Sequence, residues 1–153
     1  MNLSDFIESL EVNEEVIENI GKNGFADGAF NLIDKGLKEC GLYKRPIHCT
    51  DTKRKTFHIK ENNKWQKEDE NKSLLKKQYD IISNKGLRLL NKWGDNHPRS
   101  RMSNTPEYDF WVVMAKRVNN SGADEMRNYN KITQYVASST DITNLKKNGL
   151  LSN

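Results

Sequence analysis

The sequence predicts an α+β fold in which a small three-stranded antiparallel meander, at about residues 46–67, packs against a mainly helical bundle. Three observations predict it. Apolar residues recur at helical spacing as far as residue 41, the period drops to two after Pro46, and helical spacing returns from residue 73. With 153 residues, 35% of them hydrophobic and 30% charged, the chain has the size and balance of one domain with a modest core. The expected layout is a single domain over 1–137, followed by a loosely attached tail, 138–153. Within the domain, 1–41 is an acidic helical segment, 42–67 a basic meander and 73–137 a helical bundle.

Two short helices open the chain, one over Asp5 to Leu10 after the cap candidate Ser4 and one over Glu14 to Ile20 after Asn13, each with acids in its first turn. A third spans about Ala26 to Cys40, with Ala29, Leu32, Ile33, Gly36 and Leu37 on one stripe and Gly41 as its stop. A hairpin turning through Thr52-Lys53-Arg54 then sets Cys49 opposite Phe57, Ile47 opposite Ile59 and His48 opposite His58. A second turn through Glu61-Asn62-Asn63 sets Trp65 opposite Ile59. One face then carries Ile47, Cys49, Phe57, Ile59 and Trp65, and the other His48, Thr50, Thr56, His58, Lys60 or Lys64, and Gln66.

Ser73 is the cap candidate for the next helical stretch, which Asn84-Lys85-Gly86 kinks or divides into about 73–83 and 87–94. Residues 94–104 read as a polar loop. Thr105-Pro106 starts a helix whose run from Phe110 to Ala115 is apolar almost all round, which predicts the central helix of the bundle. The last helix begins after Ser121 or Gly122, runs to about Ala137 and presents Met126, Tyr129, Ile132 and Val136.

Charge is sharply divided along the chain. Residues 1–41 hold nine acids and three lysines, a balance of −6, whereas 42–67 hold eight Lys or Arg and two acids, a balance of +6. The rest contributes +4. The two opposed segments either match one another within the fold or leave a cationic patch open to an anionic partner. No apolar run approaches bilayer length, and the N-terminus lacks the basic start and cleavage site of a secretory signal, so an intracellular protein without membrane attachment is expected. Cys40 and Cys49 are expected as free thiols.

Motifs for chemistry are sparse. Cys40, His48, Cys49 and His58 carry metal-ligating atoms, but neighbours on a strand such as His48 and Cys49 point to opposite faces, and no metal site is expected. The same geometry argues against Cys49 as a nucleophile with His48 as its base. Asp51-Thr52-Lys53 matches the D-x-K fragment of metal-dependent nucleases without a second acid on a neighbouring strand. There is no G-x-S-x-G, phosphate loop or dinucleotide fingerprint, and no cofactor is expected. The basic meander is therefore the candidate site. Lys44, Arg45, Lys53, Arg54, Lys55, Lys60 and Lys64 suit a phosphate backbone, which cations bind by releasing counterions with little regard to sequence.

The string KRPIHCTDTKRKTFHIKENNKWQKE resembles a segment of uncharacterised proteins of nucleocytoplasmic large DNA viruses of the mimivirus and phycodnavirus kind. The shared pattern is R-P-I-x-C-T-D-x-K-R, an alternating strand ending I-K, a polar turn and W-x-K-E, followed by a helix and a second Trp like Trp93 with His97-Pro98 downstream. The resemblance covers roughly Leu37 to Ile142, and its most specific matches are Arg45, Pro46, Ile47, Cys49, Thr50, Asp51, Lys53, Arg54, Ile59, Lys60 and Trp65. It implies a viral protein of the infected cell's cytoplasm or nucleus, or of the virion, and brings no activity with it. Some proteins similar to these carry a zinc-finger-like and coiled region upstream, which suggests nucleic acid; this chain has acidic helices there instead.

The expected function is non-enzymatic nucleic-acid binding through the basic hairpin. Two alternatives stand beside it: a virion structural or adaptor protein whose basic face meets an acidic viral or host protein, and a metal-dependent nuclease or hydrolase built on Asp51 and Lys53.

Overall fold

The structure, a computed structural model, describes residues 1–143. Helices α1 (Leu3–Ser9), α2 (Glu14–Asn23) and α3 (Phe25–Cys40) precede strands β1 (Ile47–Asp51), β2 (Thr56–Glu61) and β3 (Lys64–Lys67). Helices α4 (Ser73–Leu87) and α5 (Leu90–Asn96), a 3₁₀ turn (Pro98–Arg101), α6 (Pro106–Asn119) and α7 (Ala123–Ser139) follow. The strands form one antiparallel sheet in the order β1-β2-β3, packed against helices, so the fold is α+β as expected. Ile47, Cys49, Phe57 and Ile59, each 1% exposed or less, join a core that extends through α1 to α4, α6 and α7.

The first hairpin has the expected register: Ile47 pairs with Ile59, His48 with His58 and Cys49 with Phe57. A bulge follows, where Asp51 rather than Thr50 comes opposite Thr56. The second hairpin differs from expectation by one residue. Asn62 and Asn63 both have positive φ (52° and 59°), the backbone of a two-residue primed turn, so Glu61 pairs with Lys64 and Lys60 with Trp65. A one-residue shift sends every side chain of a strand to the other face. Trp65 therefore leaves the apolar side, and Gln66, opposite Ile59, takes the register position expected for it.

Several helix boundaries have causes that lie far away in the chain. Ser4 does not cap α1; its hydroxyl and backbone N–H donate to the Glu61 carboxylate (2.7 and 3.3 Å), and Asn63 N–H donates to Asn2 Oδ1 (2.8 Å). At the other end of α1, Lys85 Nζ donates to the carbonyls of Ile7, Glu8 and Leu10. Asn13 and Thr105 do cap α2 and α6, accepting from Val16 N–H and Tyr108 N–H. Ser73 is not the cap of α4. The buried Glu68 carboxylate accepts from Leu75 N–H (3.0 Å) and Asp69 from Ser73 N–H (3.1 Å), which satisfies two of the orphan donors of that helix.

The stretch from Ser73 divides into two helices, one of the two expected readings, but after Leu87 rather than residue 83, so Gly86 lies inside the last turn of α4 and α5 starts at Leu90. A Cβ at Gly86 would lie 2.8 Å from Val118 Cγ1 and 3.3 Å from Ile17 Cγ2, so the glycine is the point where α4 approaches α6 and α2. Helix α6 is not central. It lies against α2 and α4 along a stripe that fully buries Met114 and Val118, whereas Val112 and Val113, about a third of a turn or more away, are 42% and 41% exposed. Met126 on α7 is likewise outside, at 53% exposure. The expected loop 94–104 contains the 3₁₀ turn, and His97 stacks on the buried Trp93 at 3.9 Å.

The segment expected to be loose from Ser138 onward is tied down over its described part. Cys49 N–H donates to Thr140 O (2.9 Å), Ile142 N–H donates to Cys49 O (3.0 Å), and Thr140 and Ile142 are buried. This short parallel bridge occupies the outer edge of β1. The remainder of the expected tail, 144–153, lies outside the described residues.

Candidate nucleic-acid interface

The outer face of the sheet is built by alternation. His48 on β1, Thr56, His58 and Lys60 on β2, and Trp65 and Lys67 on β3 share it, because His58 pairs with Lys67 and Lys60 with Trp65 while their neighbours in sequence pack inward or toward the edge. Trp65, expected in the core, is 48% exposed here and stacks on His48 with ring centroids 5.1 Å apart and planes 17° apart. Strands β1 and β3 flank β2, so the indole reaches across the middle strand to meet the imidazole.

Arg45 holds this pair in place. Its Nε donates to His48 Nδ1 (3.2 Å) and its Nη2 to Thr140 O (3.1 Å). Desolvation by burial lowers the guanidinium from its ordinary value, and it remains a cation at neutral pH. Arg45 therefore contributes charge beneath the face and positions the aromatic pair, which differs from the free phosphate contact expected of it.

The seven expected cations do not gather at one place. Lys53, Arg54 and Lys55 lie on the β1–β2 turn, whereas Lys44, Arg45, Lys60 and Lys64 lie toward the opposite end of the strands, where Lys60 N–H donates to Pro46 O (2.8 Å). A five-residue strand separates the two ends by about 17 Å. Arg54 is engaged locally: Asp51 Oδ1 accepts from its backbone N–H (3.1 Å) and Asp51 Oδ2 lies 3.8 Å from its Nε. Lys64 pairs with Glu61 and falls on the side of β3 away from Lys60 and Trp65. Lys67, outside the expected set, is on the outer face. An Asn-Asn turn read as a two-residue primed hairpin would have revealed both Lys67 and Trp65.

Among the described residues, the charge division along the sequence is not closed by ion pairs between the two segments. The acidic segment spends its ion pairs on Lys38 (from Asp34, 2.8 Å) and Lys85 (from Glu8, 3.5 Å), and Glu18 accepts from Trp93 Nε1. Among the described residues, no ion pair joins 1–41 to the basic meander. Glu61, the meander's second acid, is held by Ser4 at the start of α1, and Asp51 is spent on Arg54. Lys44, Lys53, Lys55, Lys60 and Lys67 make no ion pair among the described residues.

Cys49 is sealed in the core, and burial raises its thiol above the usual 9.0, whereas His48 and His58 are on the outer face. Among the described residues, no group of three or more His, Cys, Asp or Glu is arranged to hold a metal ion, and no helix is long and apolar enough to cross a membrane. Comparison with protein-family models, curated proteins and solved structures found no match to this chain.

Proposed function

We propose that this chain is a non-enzymatic nucleic-acid-binding protein that uses the outer face of its sheet, and that it comes from a large DNA virus, as its Arg45-to-Trp65 string suggests. The observation that carries the binding reading is a half-exposed indole set among cations that make no ion pair among the described residues. Aromatic faces stack bases without regard to sequence, and lysines attract phosphates over a Debye length. The two groups together on one flat face make a surface for a polyanion that also presents rings.

The test is fluorescence anisotropy of labelled DNA and RNA with the purified protein between about 50 and 200 mM salt, where several phosphate contacts change affinity by orders of magnitude. Binding that weakens steeply with salt supports the reading. No binding of any nucleic acid at the lowest salt would overturn it and return the basic face to a protein partner.

A further inference from the structure

Taking the nucleic-acid reading as its basis, we infer that the outer face selects single strands over duplex, with Trp65 as the platform on which an unpaired base stacks. A base inside a duplex has both faces covered by its neighbours and shows only its edges. An unpaired base can be laid flat on a ring. Trp65 is suited to receive one because its position is set in advance: it leans on His48, His48 Nδ1 accepts from Arg45 Nε, and Arg45 is tied to Thr140 O. A ring held in its binding orientation loses little freedom when the ligand arrives. With 48% of the residue still accessible, the indole keeps open surface after the histidine has taken its share.

The alternative geometry, a basic hairpin tip inserted into a duplex groove, is poorly served by this fold. The tip is the Thr52–Lys55 turn, where Arg54 is engaged with Asp51 through both backbone and side chain. Charge is instead distributed along the face, from Lys44 and Lys60 at one end, where Trp65 lies opposite Lys60, through Lys67 opposite His58, to Lys53 and Lys55 at the other. A single strand crossing the sheet meets cations at both ends of its path and a ring along it.

The experiment compares 20-nucleotide oligo-dT, oligo-U and a duplex of equal length on the wild-type chain and on Trp65→Ala, with Lys60→Ala/Lys67→Ala as the charge control. Base stacking on one aromatic side chain gives an expected loss of about 5- to 150-fold in single-strand affinity for Trp65→Ala, larger than its loss on duplex. The charge control should weaken single strand and duplex alike. Single-strand binding should also quench tryptophan fluorescence, and that quenching should vanish in Trp65→Ala, since Trp93 is 3% exposed and Trp111 is half-buried on α6, which packs against α2, α4 and the 3₁₀ turn. Oligo-dT against oligo-U separates a DNA ligand from an RNA one. Duplex bound as tightly as single strand, with Trp65→Ala affecting both equally, would overturn the stacking inference while leaving the nucleic-acid reading standing. No binding of any probe would remove both.

Discussion

The salt dependence of binding offers a quantitative check on which cations form the interface. Five lysines near the outer face make no ion pair among the described residues: Lys44, Lys53, Lys55, Lys60 and Lys67. If each meets one phosphate of a single strand, log affinity falls with log salt at a slope of about −3.5, so raising salt from about 50 to 200 mM weakens binding roughly 100-fold. Removing Lys60 and Lys67 together brings the slope to about −2.1 and the weakening to roughly 20-fold over the same range. Arg54→Ala and Lys64→Ala should leave the slope near its starting value, because Arg54 is spent on Asp51 and Lys64 projects from the other side of β3. The assay is anisotropy with labelled oligo-dT at five or more salt concentrations for each variant. A slope that flattens in Lys64→Ala or Arg54→Ala as much as in Lys60→Ala/Lys67→Ala would refute the assignment of faces, and with it the argument from register.

Other consequences concern stability. Gly86→Ala should destabilise the fold by about 1–3 kcal/mol in urea unfolding despite alanine's better helix propensity, because its Cβ would press on Val118 at 2.8 Å; a gain in stability would mean that α6 yields freely. Glu68→Ala should cost about 1–3 kcal/mol by leaving unmet the backbone N–H of Leu75 in the first turn of α4 and that of Asp69 ahead of the helix, seen in the same assay; no change would mean that water replaces the carboxylate. The Cys49 thiol is raised by burial, so the unfolded chain loses this proton first as pH rises. Its contribution to stability is therefore complete below the unfolded thiol's value and declines above it, and Cys49→Ala should remove that alkaline component from the pH profile of unfolding. In the native protein, Cys49 should also react with a thiol reagent far more slowly than the half-buried Cys40, and equal rates would contradict its burial.

Structure is legible in the sequence where its determinants are local. The Ile47–Ile59 register follows from alternation over a few residues, and Asn13 and Thr105-Pro106 cap helices by chemistry contained within one turn. Errors arose where a distant group decided. Ser4 has the right type for a cap but serves Glu61, 57 residues away, and the division expected near Gly86 falls after Leu87 instead of residue 83, with the glycine making room for Val118 and Ile17. The apolar run of α6 marks a helix without saying how many of its sides are covered. For the site, the sequence located the basic region, whereas the ring opposite Lys60 depended on a single residue of turn length. One Asn more or less in the β2–β3 connection decides whether Trp65 is core or surface.

The bridge between Cys49 and residues 140–142 has a consequence for how the chain is made. Arg45 and Thr140, which bond to one another, are 95 residues apart. During synthesis β1 leaves the ribosome long before the segment that completes its edge, and the hairpin must hold its own register meanwhile. Contacts of such long range also slow folding, since closing the intervening loop costs entropy before the bond is gained. A nascent chain stalled before residue 140 would carry an open strand edge, with the Cys49 amide and carbonyl unpaired, and in that interval a strand from a neighbouring chain could take the place kept for its own.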